Sequence, residues 1–318
     1  MADSSLSSTA ERKRRSPLRE FFTRLVKEKP LGVAGAIITL LLLFVGIFAN
    51  YLAPYGMNEL HTQSALAPPS ASFWLGTDNL GRDLLSRVIF GARISVIVGL
   101  AASIIASLVE IVIGMLCGYL GGKFDLIMQR FVDAVMCFPS LILMIVIISL
   151  IGPGMWTVIL VIGIQWGIGG SRLIRGVTMS TKENVYIQAA VAIGCPTSRI
   201  LIRHILVNIM APIIIQFSTR VPAIILTESS LSFLGYGVPP PAPSWGSMLS
   251  GSARAYMYEA PWMVIWPGLA LSIVVYGVNM FGDAVRDILD PRLRGGVGRY
   301  GVRVKKRPKK VSLALQQS

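Results

Sequence analysis

Glu110 and Arg220 each stand near the middle of a long apolar run, 94–120 for the first and 205–225 for the second. An isolated charge at the centre of a bilayer costs about 2.5–3.5 kcal/mol on insertion scales, so such a residue faces a partner or a cavity. The two could pair with each other, or they could line a passage and meet the charged ends of a solute. Snorkelling or burial at a subunit contact would account for either one equally well. Glu228 lies near the end of the second run and reads as a gate-side group or as a helix cap. Paired carboxylates can mean acid–base chemistry, but Asp125 and Asp133 are eight residues apart and bases flank them. With Arg130 they read as local pairs anchoring the inner end of a helix. His61 and His204 are the 2 histidines, and Cys117, Cys137 and Cys195 are the 3 cysteines. They form no catalytic triad, no metal spacing and no disulfide framework. A phosphate loop of the form GxxxxGK[ST] is also missing, so any ATP is hydrolysed on another chain. An enzyme is therefore a distant alternative, and a channel lacks the filter-like loop or charged ring it would need.

The elements that hold these residues follow from composition. Hydrophobic residues make up 53% of the 318 and charged residues 14%, against about 25% charged in a soluble domain. The charge deficit falls in six blocks, 31–52, 94–120, 134–151, 155–170, 205–225 and 261–281. A hydrocarbon core takes about 20 residues of helix to cross. Backbone groups in lipid must satisfy one another, so each block is expected to be a helix; the alternation of a barrel strand is absent. The net charge of +14 raises nucleic-acid binding, but the distribution of bases argues against it. With both termini in the cytoplasm, most of the 30 Lys and Arg fall on that side, as the positive-inside rule requires. The basic runs 12–15 and 305–310 then set topology and touch anionic headgroups. The first apolar block is longer than a signal-peptide core and reads as an uncleaved anchor.

These blocks divide the chain into a basic N-terminal tail (1–30), an anchor helix with an external segment (31–93), a core (94–285) and a basic C-terminal tail (286–318). Within the core, 172–206 is too patterned to be a plain turn. Ser180-Thr181-Lys182-Glu183 has the form of a capping box and predicts a helix start. Tyr186, Ala189, Ala190 and Ile193 then share one helical face, and its small residues would let a partner come close. Gly194 stands where a left-handed residue ends a helix, and Pro196 where a second helix begins. The result is a glycine elbow, either a docking element or a hairpin shielding the bundle. In the external segment, Asp78, Arg82, Asp83 and Arg87 alternate in sign at helix-compatible spacing. They suit a salt-bridged seat on the bundle, with Leu75, Leu80, Leu84 and Leu85 packing down beside it, or a docking surface.

The elbow sequence from Gln188-Ala189-Ala190 to Gly194 resembles the E-A-A-x-x-x-G signature of binding-protein-dependent ABC importer permeases. Gln188 replaces the acid, and Val207 stands where proline is common. The stretch 75–93, which contains Leu75-Gly76-Thr77-Asp78 and Gly81-Arg82-Asp83, is similar to the external segment of dipeptide/oligopeptide/nickel permeases of the "C" type. Leu231-Ser232-Phe233-Leu234-Gly235-Tyr236-Gly237 with Pro243-Ser244-Trp245-Gly246 is similar to that family's loop between spans five and six, and Phe281-Gly282-Asp283-Ala284 through Asp290-Pro291-Arg292-Leu293 resembles its C-terminal signature. The resemblance runs from about residue 20 to 294. It implies an all-α membrane protein with six transmembrane helices and the type I ABC importer permease fold, located in a prokaryotic cytoplasmic membrane. Solute would pass by alternating access, as di- or oligopeptides, nickel chelates or glutathione. It implies a homologous "B"-type permease, two cytosolic ATP-binding subunits that hold ATP and Mg, and an extracytoplasmic solute-binding protein as partners. No cofactor or metal is expected on this chain. Coupling falls to Gln188, Ala189, Ala190, Gly194 and Arg199. Glu110, Arg220 and Glu228 become candidates for the translocation path, and Asp78, Arg82, Asp83, Arg87 and Trp245 for external docking or seating.

Overall fold

The computed structural model describes residues 17–289, and apart from one isolated bridge between Thr77 and Asp83 its regular structure is helical. The basic runs 12–15 and 305–310 lie outside these residues. Where residues 1–30 were expected to be a plain tail, Pro17–Glu28 forms helix α1, and Pro30–Ile47 forms α2 directly after it. Proline suits the first turn of each, since it removes a backbone donor that has no partner there. The principal helices that follow are α3 (Leu84–Leu120), α4 (Gly122–Cys137), α5 (Ser140–Ile151), α6 (Met155–Lys182), α7 (Val185–Ala192), α8 (Met210–Phe233) and α9 (Trp262–Leu289). Among the described residues α2, α3, α6, α8 and α9 are each long and apolar enough to cross a membrane, and α4 with α5 makes a sixth, broken span.

Several boundaries differ from those expected. Residues 134–151 are not one straight span: α4 and α5 meet at 92° across Phe138 and Pro139. The pyrrolidine ring pushes the residue before it out of the helical region, and Phe138 is extended (φ −84°, ψ 140°). At about 1.5 Å per residue, the 12 residues of α5 rise roughly 18 Å, short of a hydrocarbon core. The division at 93/94 falls inside α3, a single helix of 37 residues. The division at 285/286 falls inside α9. Ser180-Thr181-Lys182 ends α6 and does not open a helix; the Thr181 hydroxyl there donates to the Val177 carbonyl (2.8 Å) of the same helix. The next helix instead follows Asn184, whose side chain turns back to donate to the Thr181 carbonyl (2.9 Å) at the end of α6. Residues 172–182 thus belong to α6, and the elbow proper is shorter than expected.

Small residues set the packing. Without a hydrophobic force between helices in lipid, close approach of backbones supplies the attraction. A Cβ on Gly114 of α3 would lie 2.7 Å from the Ser171 carbonyl oxygen of α6, and one on Gly167 of α6 2.7 Å from that of Ala106. These two helices form the spine of the bundle. α2 packs against α9 in the same manner, where a Cβ on Gly35 would meet the backbone of Gly277 and Phe281. Below it, Leu25 of α1 is buried with Ala284 and Ile288 of α9, and Lys29 pairs with Asp287. The first and last described helices are therefore joined at the end of the bundle that carries the elbow.

At the opposite end, the segment between α2 and α3 folds around Asp78. Its carboxylate accepts from the backbone nitrogens of Leu80 (2.8 Å) and Arg82 (3.0 Å) and from Arg82 Nε (2.6 Å), and it lies 3.7 Å from Arg87 Nε. Asp83 caps α3, accepting from the Ser86 nitrogen (2.8 Å) and hydroxyl (2.7 Å). Asp78 and Arg82 thus sit in a turn, off the helix on which their spacing would have placed them. Leu84 is buried and Leu75 packs against the same cluster, but Leu80 is left about half exposed. Removing the cap with Asp83→Ala is expected to cost about 1 kcal/mol. It should appear as a lower unfolding midpoint of the detergent-solubilised protein; an unchanged midpoint would deny the cap any weight.

Candidate functional site

Two places bring functional side chains together: a polar cavity halfway along the bundle, and the elbow at its end.

Glu110 projects from α3 and Arg220 from α8, and the two form an ion pair. Both are buried, Glu110 fully. Arg220 also reaches toward the Ser107 hydroxyl at 3.5 Å, while the second oxygen of Glu110, Oε1, has no partner. The pair fits because Gly170 of α6 faces it: a Cβ there would collide with the Glu110 carboxylate and the Arg220 guanidinium. Arg220 borders a cavity of about 560 Å³. Ser140, Gln165, Gln216 and Thr219 supply its other polar groups, and Phe138, Trp166 and Met144 much of its apolar wall. Gln165 Nε2 donates to the Ser140 carbonyl (3.1 Å), which ties α6 to the broken span, and Oε1 of the same amide is unpartnered. The break at Phe138 and Pro139 thus shapes one wall. Ser107, Gln165, Gly170 and Gln216 were not singled out from sequence, although a lone amide in an apolar run carries the same kind of signal as a lone charge.

Glu228 does not join this cavity. It is buried near the other end of α8, where its Oε1 accepts from Ser232 (2.6 Å) and its Oε2 from Ser229 (3.4 Å). Ser244, buried beside the short helix Trp245–Met248, faces the same carboxylate. Glu228 thereby sits against the α8–α9 loop. Trp245 is buried in the same loop and donates from Nε1 to the Val88 carbonyl (3.0 Å). Asp78, Asp83 and Arg87 are likewise buried, and Arg82 nearly so. These five side chains turn toward their own bundle, an arrangement that suits seating and leaves little for an outside partner to touch.

Asp125 and Asp133 find their nearest partners on α6. Asp125 takes both Nε (2.6 Å) and a terminal nitrogen of Arg175, and Asp133 pairs with Arg172. The local contact of Arg130 with Asp133 is longer, at 3.7 Å. α4 is thus clasped to α6 by charge.

At the elbow, Gly194 adopts φ +77° and the chain reverses there. Its neighbours are poised outward: Ile193 is 85% exposed and Val185 80% exposed. Gln188, Ala189 and Arg199 are exposed as well. Ala190 departs from the expected arrangement. It is buried, and with Ile187 it turns toward the bundle, where Ile187 joins Met115, Ile174, Ile200 and Ile205. Tyr186, Ala189 and Ile193 therefore lack Ala190 on the face they present. Beyond Pro196 the chain winds through a π-helical stretch, Ile200–Ile205, before α8. Such stretches are rare and cluster at functional places.

Comparison with known proteins agrees with this architecture. The Dipeptide transport system permease protein DppC of Alkalihalophilus pseudofirmus is 39% identical over 279 residues, 88% of this chain and 91% of that protein. The Glutathione transport system permease protein GsiD of Pectobacterium atrosepticum is 38% identical, covering 88% and 93%. The Oligopeptide transport system permease protein OppC of Bacillus subtilis is 37% identical, covering 84% and 88%. Residues 16–69 match the N-terminal TM domain of oligopeptide transport permease C. Residues 110–295, which hold the cavity and the elbow, match the binding-protein-dependent transport system inner membrane component, and the chain belongs to that family.

Proposed function

We propose that this chain is the "C"-type permease subunit of an ATP-driven importer, moving di- or oligopeptides by alternating access. It is a transporter component with no catalytic role of its own. The observation that carries the reading is the elbow, where a left-handed glycine presents exposed apolar side chains (Val185, Ile193) at one end of a membrane bundle. Water would disfavour such a surface unless a partner covers it. A cytosolic ATP-binding subunit is that partner, with Gln188, Ala189, Gly194 and Arg199 at the contact and Ala190 bracing the helix from behind. A glutamine in place of an acid at 188 offers the contact a neutral hydrogen bond.

The remaining assignments follow. Both termini and the elbow are cytoplasmic; α1 and the end of α9 lie at the elbow end, in keeping with the positive-inside distribution. A homologous "B"-type permease closes the open side of the cavity, since Gln165, Gln216 and Arg220 would be poorly served by lipid. Glu110 and Arg220 belong to the translocation path, whereas Glu228 serves the loop. An extracytoplasmic binding protein delivers the solute to the opposite end, and two ATP-binding subunits hold ATP and Mg. Glutathione is the second reading for the solute, supported by the relative that carries that name.

Reconstitution of the chain with its partner permease, two ATPases and binding protein in vesicles tests the reading. Peptide should accumulate only with ATP inside the cytoplasmic face and with every partner present. Accumulation that needed neither would overturn it.

A further inference from the structure

We infer that Glu110 sets the charge selectivity of passage: by cancelling Arg220 it leaves this chain's wall of the cavity polar but electrically neutral, so that acidic and basic peptides pass at similar rates. The inference rests on the reading of the cavity as part of the solute path.

Arg220 is the one ionisable side chain bordering the cavity among the described residues. Glu110 stands behind it, fully buried and off the cavity surface. A buried carboxylate kept for architecture has its oxygens satisfied, and Glu228 shows the pattern, held by serines on both oxygens. Glu110 differs. Its carboxylate binds Arg220 through one oxygen, and the other has no hydrogen-bond partner. What the acid supplies there is a negative charge against the guanidinium. Gly170 keeps the two in contact, since any side chain at that position would intrude on both.

The consequence is electrostatic. An uncompensated arginine on a cavity with low-dielectric walls projects its field across the space, because counter-ions screen it poorly. It would attract acidic solutes and repel basic ones. With Glu110 in place, the polar groups offered to a solute are the amides of Gln165 and Gln216 and the hydroxyls of Ser140 and Thr219. These donate to or accept from a peptide backbone irrespective of its side chains. At a separation of about 10 Å and an effective dielectric of about 20, exposing one unit charge changes a rate by roughly tenfold.

The test uses the complete importer in vesicles, with binding protein saturated in turn by Ala-Ala, Ala-Glu and Ala-Lys. The readout is the ratio of initial uptake rates for Ala-Glu and Ala-Lys. Glu110→Gln, which keeps an acceptor for Arg220 but removes the charge, should speed Ala-Glu and slow Ala-Lys by about tenfold each and so raise that ratio about a hundredfold. Arg220→Gln with Glu110 retained should lower it by a smaller factor, because an unpaired buried carboxylate tends to take up a proton, and the double variant should restore the unaltered value. A loss of stability alone slows all three peptides equally and leaves the ratio where it was. An unchanged ratio in both single variants, in complexes that still hydrolyse ATP, overturns the inference. So does failure of both single variants to assemble, which would make the pair architectural. Absence of ATP-dependent uptake of any of the three by the unaltered importer overturns the transport reading itself.

Discussion

Replacing Glu110 with alanine is expected to destabilise the folded chain by about 3–5 kcal/mol, the cost of stranding a buried guanidinium without its counter-charge. Arg220 is 4% exposed, and Ser107, at 3.5 Å, is too distant to take over. Glutamine at the same position retains an acceptor and should cost less. The companion experiment is Glu110→Leu with Arg220→Met. Removing both charges together removes the desolvation penalty along with the attraction, and such replacements are often neutral or stabilising. Unfolding midpoints of the purified chain in detergent should therefore fall for the single variant and recover for the double. A single variant as stable as the unaltered protein would show that water or lipid headgroups already solvate Arg220. Recovered stability without recovered transport would separate the architecture of the pair from its part in the path.

Gly194→Leu is expected to reduce ATP-coupled uptake by at least about tenfold while the complex still assembles. The physical cause is conformational. The residue sits at φ +77°, which costs a side-chain-bearing residue roughly 1–2 kcal/mol. Crowding is not the cause, because a Cβ at this position meets nothing within 4 Å. That distinction supplies the control: asparagine tolerates the left-handed region, so Gly194→Asn should keep most of the activity that leucine loses. Uptake measured alongside ATP hydrolysis separates the cases. Leucine should leave hydrolysis less dependent on loaded binding protein, whereas asparagine should not. Equal uptake by the leucine and glycine forms would mean that the reversal at the elbow carries no motion.

The parts legible in the sequence are those governed by local rules. Apolar length located the spans because lipid forbids any alternative to helix. Glycine at 194 and proline at 196 marked the elbow because each has a backbone preference that its neighbours lack. What escaped depended on neighbours distant in sequence or on competition between two local rules. Hydropathy alone treats 134–151 as continuous, since the ring of Pro139 breaks a helix without making it polar. Ser180 and Glu183 have capping-box spacing, but α6 runs on through Ser180 to Lys182, and the Thr181 hydroxyl bonds within it. Asp125 and Asp133 looked local because their tertiary partners, Arg175 and Arg172, lie a whole span away. The pairing of Glu110 with Arg220 was foreseen as one of two alternatives; that Arg220 also borders the cavity required the coordinates. Gly170 was invisible as a contact, since a glycine announces close approach only once the approaching groups are known.

The seam between α2 and α9 bears on how the protein is made. α2 leaves the ribosome well before α9, and its Gly32 and Gly35 face has that last described helix as its mate. Roughly 200 residues are synthesised in between, which at about 5–20 residues per second leaves that face without its mate for on the order of 10–40 s. During this interval lipid must occupy the seam, and it must be squeezed out when α9 arrives. The Lys29–Asp287 pair can form only then. Closure of this ring is thus a late event in biogenesis, and truncated or stalled chains carry an open flank that quality-control proteases can recognise.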